Sequence, residues 1–244
     1  MNLRAQSITS RLVAMVVMVT VALLFATLPR ASADSVTVNS STAVTYLYTG
    51  VCCTDFPAAL TAANFASAQT GPNAVLDPFA SPGYLPPLPG GPGAVAITGS
   101  GAASDGTVLY AVSFDLPSTV SSASLELFYE IDNNLGLTNS GVYLNGTALP
   151  NTIPNSCGVE STLCFEEQQS YSDSSIGSLL VSGTNWLYLD QVNEGSIAGV
   201  IFSADVTFVP STGTVPVPEA SSLSLLCTGL LGLGLLKRKA KLAV

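Results

Sequence analysis

Thr107-Val108-Leu109-Tyr110-Ala111-Val112-Ser113-Phe114-Asp115-Leu116 carries an apolar side chain at every even position. Successive side chains of an extended chain point to opposite faces, so this alternation predicts a strand with one face buried. Two further segments repeat it. Between Ser124 and Asp132, the residues Leu125, Leu127, Tyr129 and Ile131 share one face, and Glu126, Glu130 and Asp132 point away from it. In the last such run Val200, Phe202, Ala204, Val206 and Phe208 oppose Ser203, Asp205 and Thr207. Gly, Ser, Thr, Asn and Pro are abundant around these runs and strong helix formers are scarce. The fold class expected is all-β, built as a sandwich of half-buried strands.

Turn chemistry separates the strands. Asn145-Gly146 stands between Gly141-Val142-Tyr143-Leu144 and Thr147-Ala148-Leu149, a short-hairpin signature that requires positive φ. Ser182-Gly183-Thr184-Asn185 precedes a strand at Trp186-Leu187-Tyr188-Leu189. Tyr46 and Tyr48 belong to an early strand. The segment 56–68, with Pro57-Ala58-Ala59-Leu60 inside it, is expected to form one short helix after Thr54-Asp55. Thr70 to Gly93 is too rich in Pro and Gly for a long element and reads as a loop or linker. The expected organisation is a strand and helix over 34–69, a loop over 70–106 and a sandwich core over 107–210.

Charge narrows the chemistry. The seven Lys and Arg residues lie before Asp34 or after Leu236, and the chain has no His. All sixteen Asp and Glu residues fall between those limits, so the middle is a polyanion without one basic side chain. Ser-His-Asp triads, Cys-His dyads and His-ligated metals are thereby excluded. Schiff-base lysines and phosphate clamps also lack their cation, and a nucleic-acid partner is not expected.

The ends read as addresses. Arg4 and Arg11 lead a 17-residue apolar run, followed by Ala31-Ser32-Ala33, a small-x-small pattern that predicts signal-peptide cleavage after Ala33. At the other end, over 211–244, Pro216-Val217-Pro218-Glu219-Ala220 precedes an apolar stretch and then Lys237-Arg238-Lys239-Ala240-Lys241. A helix over 221–236 would be about 24 Å long, and snorkelling lysines extend its reach across a membrane. The basic cluster keeps the tail cytoplasmic and the rest exported.

Residues 216–241 resemble the PEP-CTERM sorting signal, which exosortases of Gram-negative bacteria recognise and process. The motif's second proline is Ala220 here. The resemblance implies a chain exported by the secretion machinery, transiently held in the inner membrane, and delivered to the cell surface or extracellular matrix. Residues 107–208, with Asp132-Asn133-Asn134, Val142 to Gly146 and Gly183-Thr184-Asn185-Trp186, are similar to galactose-binding-like jelly rolls. That resemblance implies a jelly-roll-like β-sandwich, flanked by the signal helix and the tail helix, and it is silent on the ligand.

Four exported cysteines admit three pairings. Cys157 and Cys164 bracket a short loop and are expected to bridge. Cys52 and Cys53 then bond each other or stay reduced, unless both cross to the first pair. Cys227 lies in the tail's apolar run. For carboxylate catalysis, Glu126 and Glu130 stand about 13 Å apart along a strand, outside the spacing glycosidases use. Adjacent Glu166 and Glu167 point to opposite faces. No catalytic residue is assigned.

Calcium binding is a more natural use for such charge than catalysis, and no cofactor is assigned. The candidate ligands are Asp132, Asn134, Asp190 and Glu194, although turns favour Asp and Asn without any metal. Glycan contact would use aromatic faces and amides at loop ends: Tyr143, Asn145, Asn185, Trp186 and Tyr188. The function expected is a non-catalytic structural or glycan-binding module associated with extracellular polysaccharide. A secreted carboxylate hydrolase and a permanently tail-anchored adhesion domain are the alternatives.

Overall fold

A computed structural model describes residues 32–48, 55–56, 59–77, 88, 93–99, 107–151, 168–193 and 199–211. Ser32–Ser211 form one compact unit. The expected signal peptide with Ala31 and Ala33, the cysteines Cys52, Cys53, Cys157 and Cys164, Glu194 and the tail with Pro218, Glu219, Ala220, Lys237, Arg238 and Lys239 are not all inside this set. Only Ala33 is described. No helix among the described residues is long and apolar enough to cross a membrane; both helices expected to do so fall outside them.

The unit is a sandwich of two antiparallel sheets. One sheet holds β1 (Asp34–Asn39), β3 (Val75–Leu76), β4 (Ile97–Thr98), β6 (Val120–Asp132), β10 (Gln169–Asp173) and β12 (Gly199–Pro210). The other holds β2 (Thr45–Tyr48), β5 (Val108–Leu116), β7 (Asn134–Leu135), β8 (Val142–Leu144), β9 (Thr147–Ala148) and β11 (Gly183–Val192). The chain passes repeatedly from one sheet to the other, as from β4 to β5, β5 to β6 and β11 to β12. Such crossing is compatible with a jelly roll.

Alternation sets the register. Val200, Phe202, Ala204 and Val206 of β12 lie opposite Ile131, Tyr129, Leu127 and Leu125 of β6. All eight are buried in one core. A slip by one residue would turn both rows toward solvent, which fixes the pairing. Val108, Tyr110, Phe114 and Leu116 of β5 face this core from the second sheet, with Leu187 and Leu189 of β11. Glu130, expected on the solvent side of β6, is instead fully buried.

The odd positions of β5 carry a second message. Leu109 and Ala111 are also apolar, and with Tyr143 and Tyr188 they form a separate core on the outer face of the second sheet. Helix α1 (Ala62–Gln69) covers it with Phe65 and Ala68. The helix begins later than the sequence suggested, at Ala62 rather than near Phe56. A capping box decides the start: the Asn64 N–H donates to Thr61 Oγ1, and the Thr61 N–H donates to Asn64 Oδ1 at 2.9 Å. After the helix, a Cβ on Gly71 would lie 2.0 Å from the Tyr46 carbonyl oxygen, so only glycine lets the chain pass β2 there.

The front of the domain is paired into both sheets. β1 pairs with β12 from Asp34↔Phe208 to Asn39↔Ser203, and β2 pairs with β5 from Thr45↔Ala111 to Tyr48↔Val108. Inside the segment read as loop, β3 pairs with β4. Short strands escape a period-two reading because two residues hold no period.

Candidate functional site

The site begins with the Asn-Gly hairpin. Asn145 and Gly146 have φ of 51° and 81°, the left-handed pair that turns β8 into β9. The Asn145 side chain is spent on structure. Its Nδ2 donates to Leu179 O and to Asn185 Oδ1, both at 2.8 Å, and its Oδ1 accepts the Trp186 N–H at 2.8 Å. Asn185 is fully buried; its Nδ2 donates to Val181 O and Gly183 O, and its Oδ1 accepts the Val181 N–H. The two amides thus clamp the hairpin to the start of β11. Asn185→Ala leaves several of these groups unpaired, so the expected loss is about 2–4 kcal/mol of unfolding free energy, to be measured by urea denaturation.

What the clamp positions is Trp186. Its ring lies 6.4 Å from that of Tyr188 with 26° between the planes, the two packed in a stacked pair. The Tyr188 ring in turn meets Phe65 of α1 at 4.7 Å, and its hydroxyl accepts from Gln69 Nε2. Between the helix and this aromatic row runs an open groove of about 360 Å³, lined by Leu60, Ala62, Ala66, Gln69 and Trp186, with the hairpin at one end. Ala62 and Ala66 contribute only methyl groups to its lining. Of the five sequence candidates, Asn145, Trp186 and Tyr188 reach the groove. Asn185 does not, being buried behind it, and Tyr143 lies under the helix, 5.2 Å from the Phe65 ring. Gln69, Ala62 and Ala66 were not anticipated, because a helix packed on an outer sheet face has no signature in strand periodicity.

The proposed calcium ligands divide. Asp190 faces Asp55, while Asp132 lies near Asp77, and Asn134 is buried. Beside Asp132 the Tyr110 hydroxyl donates to Gln191 Oε1 at 2.9 Å, and Gln191 Nε2 donates to the carbonyls of Asp132 and Gly199. Burial first, and then the Asp77 charge, push the Asp132 carboxyl up to about 6. Among the described residues no three acidic or cysteine side chains converge to hold a metal.

Asp55 and Asp190 form a different device. Asp55 Oδ2 accepts the N–H of Thr138 at 2.7 Å, the N–H of Asn139 at 2.6 Å and the Thr138 hydroxyl at 3.0 Å, while its Oδ1 accepts the Phe56 N–H at 2.7 Å. Burial raises this carboxyl, but the Asn139 and Thr138 donors and Asp190 outweigh it and hold it below the ordinary range. Asp190 is fully buried, and among the described residues no N–H or hydroxyl reaches its oxygens. What it meets is the Asp55 carboxylate. Burial, then the Asp55 charge, then their hydrogen bond raise the Asp190 carboxyl well above the usual range and favour its neutral form. In that form its O–H faces Asp55 as a donor. No Lys, Arg or His exists between Asp34 and Leu236 to neutralise the pair, so a proton does so. In the sequence Asp55 stands only beside the expected helix; the folded chain brings it to β11.

Residues 216–239 match the family model of the PEP-CTERM protein-sorting motif. No curated protein matches the chain. The motif marks an exosortase substrate, exported, anchored transiently by its C-terminal segment and then released to the cell surface.

Proposed function

We propose that the sandwich is a non-catalytic glycan-binding module of this exported surface or matrix protein, associated with extracellular polysaccharide, and that the groove beside Trp186 is its binding site. The observation that carries the reading is the half-buried indole, its backbone fixed by Asn145, its ring stacked with Tyr188 and lining an open groove. A sugar ring presents an apolar face that stacks on such a surface and hydroxyls that amides can accept from. Gln69 lines the groove, and with its Nε2 engaged by Tyr188 its amide oxygen is the group that would accept from a sugar hydroxyl. Trp186→Ala is expected to weaken binding to the producing cells' extracellular polysaccharide at least tenfold, ~1.4 kcal/mol. Affinity electrophoresis measures it, with urea denaturation as the control for folding. An unchanged mobility shift in the variant would reject the groove.

The hydrolase reading gains one observation, the meeting of Asp55 and Asp190. Their burial and the donors occupying Asp55 favour a structural role, since a scissile bond needs both an open approach and a free carboxylate lone pair.

A further inference from the structure

We infer that the Trp186 groove selects uncharged glycans and rejects uronate polymers, with Asp115 as the specificity-determining residue; this rests on the glycan-binding reading above. The register places Trp186 opposite Ser113 and Thr184 opposite Asp115 on adjacent strands. Trp186 and Asp115 are therefore diagonal neighbours on the same outer sheet face, about 7–8 Å apart across the ladder. Asp115 is exposed, and the Thr184 hydroxyl donates to its Oδ1 at 2.7 Å, which holds the carboxylate on that face rather than leaving it to sweep through solvent.

A sugar stacked on the indole would carry any carboxylate to within about one Debye length of Asp115 at physiological salt. Recognition of an anionic polymer requires a basic partner, and the chain offers none from Asp34 to Leu236. Fifteen further carboxylates in that stretch add to the repulsion along a polymer. The groove itself supplies only apolar, aromatic and amide groups. Its chemistry suits a neutral pyranose: one apolar ring face for Trp186, hydroxyls for Gln69 and no charge to desolvate.

The test uses a property of the chain itself. Trp186 is its single tryptophan, so indole emission reports the groove and nothing else. The full chain in detergent is titrated with neutral gluco-, manno- and galacto-oligosaccharides and, separately, with polygalacturonate, at low and high salt and with or without calcium. The expected result is a saturable emission change with at least one neutral series, insensitive to salt. Polygalacturonate is expected to bind at least tenfold more weakly at low salt, and Asp115→Asn to narrow that gap severalfold. Polygalacturonate binding as tightly as the neutral glycans, or only with calcium, would overturn the charge selection while leaving glycan binding standing. A gap unchanged in Asp115→Asn would remove Asp115 from the role. Silence of the indole toward every probe would overturn the glycan-binding reading and this inference with it.

Discussion

Asp55→Asn is expected to destabilise the domain by about 3–5 kcal/mol, whereas Asp190→Asn changes stability by less than about 1 kcal/mol. The asymmetry follows from the proton's position. Asp55 is the ionised partner, accepting from Phe56, Thr138, Asn139 and the Asp190 hydroxyl. An amide there loses the charge that strengthens each of those bonds and turns an N–H toward donors. Asp190 is the neutral partner, and an Asn amide donates to Asp55 much as the carboxyl O–H does. The loss at Asp55 also frees the segment that carries Phe56 into the outer core, so helix α1 and the groove should loosen together. Urea unfolding followed by Trp186 emission compares the two variants. Equal destabilisation by both would mean that the proton is not held on Asp190.

The second large effect is a stability that falls as pH rises from mildly acidic to neutral. For Asp190, whose folded value is raised, the favourable contribution is complete below the ordinary aspartate value of about 3.9 and is lost as pH climbs through the folded value. Asp132 acts in the same direction, over the window from about 3.9 to about 6. Because Asp132 is half-buried, solvent screening limits its share to about 1–2 kcal/mol. Asp55 acts oppositely: its folded value is lowered, so its contribution is present above about 3.9 and disappears as pH falls through the folded value. These three contributions together place the optimum close to the ordinary aspartate value of about 3.9, and stability falls above it as the unfolded chain ionises while Asp190 and Asp132 hold their protons in the fold. Repulsion among the carboxylates, with no cation between Asp34 and Leu236, deepens the decline toward neutrality. Thermal midpoints from pH 3.5 to 8 should drop by several degrees above the optimum, and Asp190→Asn and Asp132→Asn should each flatten that slope. A wild-type midpoint that is flat or rises between pH 5 and 7.5 would contradict the shared proton.

Both expectations turn on Asp55, a residue whose role no local pattern reveals. Its position after Thr54 and before Pro57 suggested a helix flank, yet Thr61 and Asn64 make the cap instead. The carboxylate was left to find partners in the 137–139 turn and on β11, segments remote in the chain. Trp186 and Tyr188 stood out as aromatics beside a turn, but whether they would face the interior or a groove depended on α1 lying over that sheet. Asn145 and Asn185 were legible as turn residues and are turn residues; their amides are consumed in holding the turn together.

The sequence alone determined what depends on local backbone geometry and on residue inventory. Period-two alternation put Tyr110, Leu127 and Phe202 on core-facing sides because an extended chain can do nothing else with successive side chains. Asn145-Gly146 made a hairpin because its φ values suit that pair, and the linear tail motif at 216–239 is recognisable as a sequence signal. Only the tertiary structure decided that Glu130 is buried, that Leu109 and Ala111 lie beneath a helix, and that Asp190 meets Asp55 in the interior, where burial and that charge raise it. Those outcomes depend on which distant segments become neighbours. That choice is made by the burial of whole faces across the unit, and a buried charge then settles its protonation with whatever the fold has brought beside it.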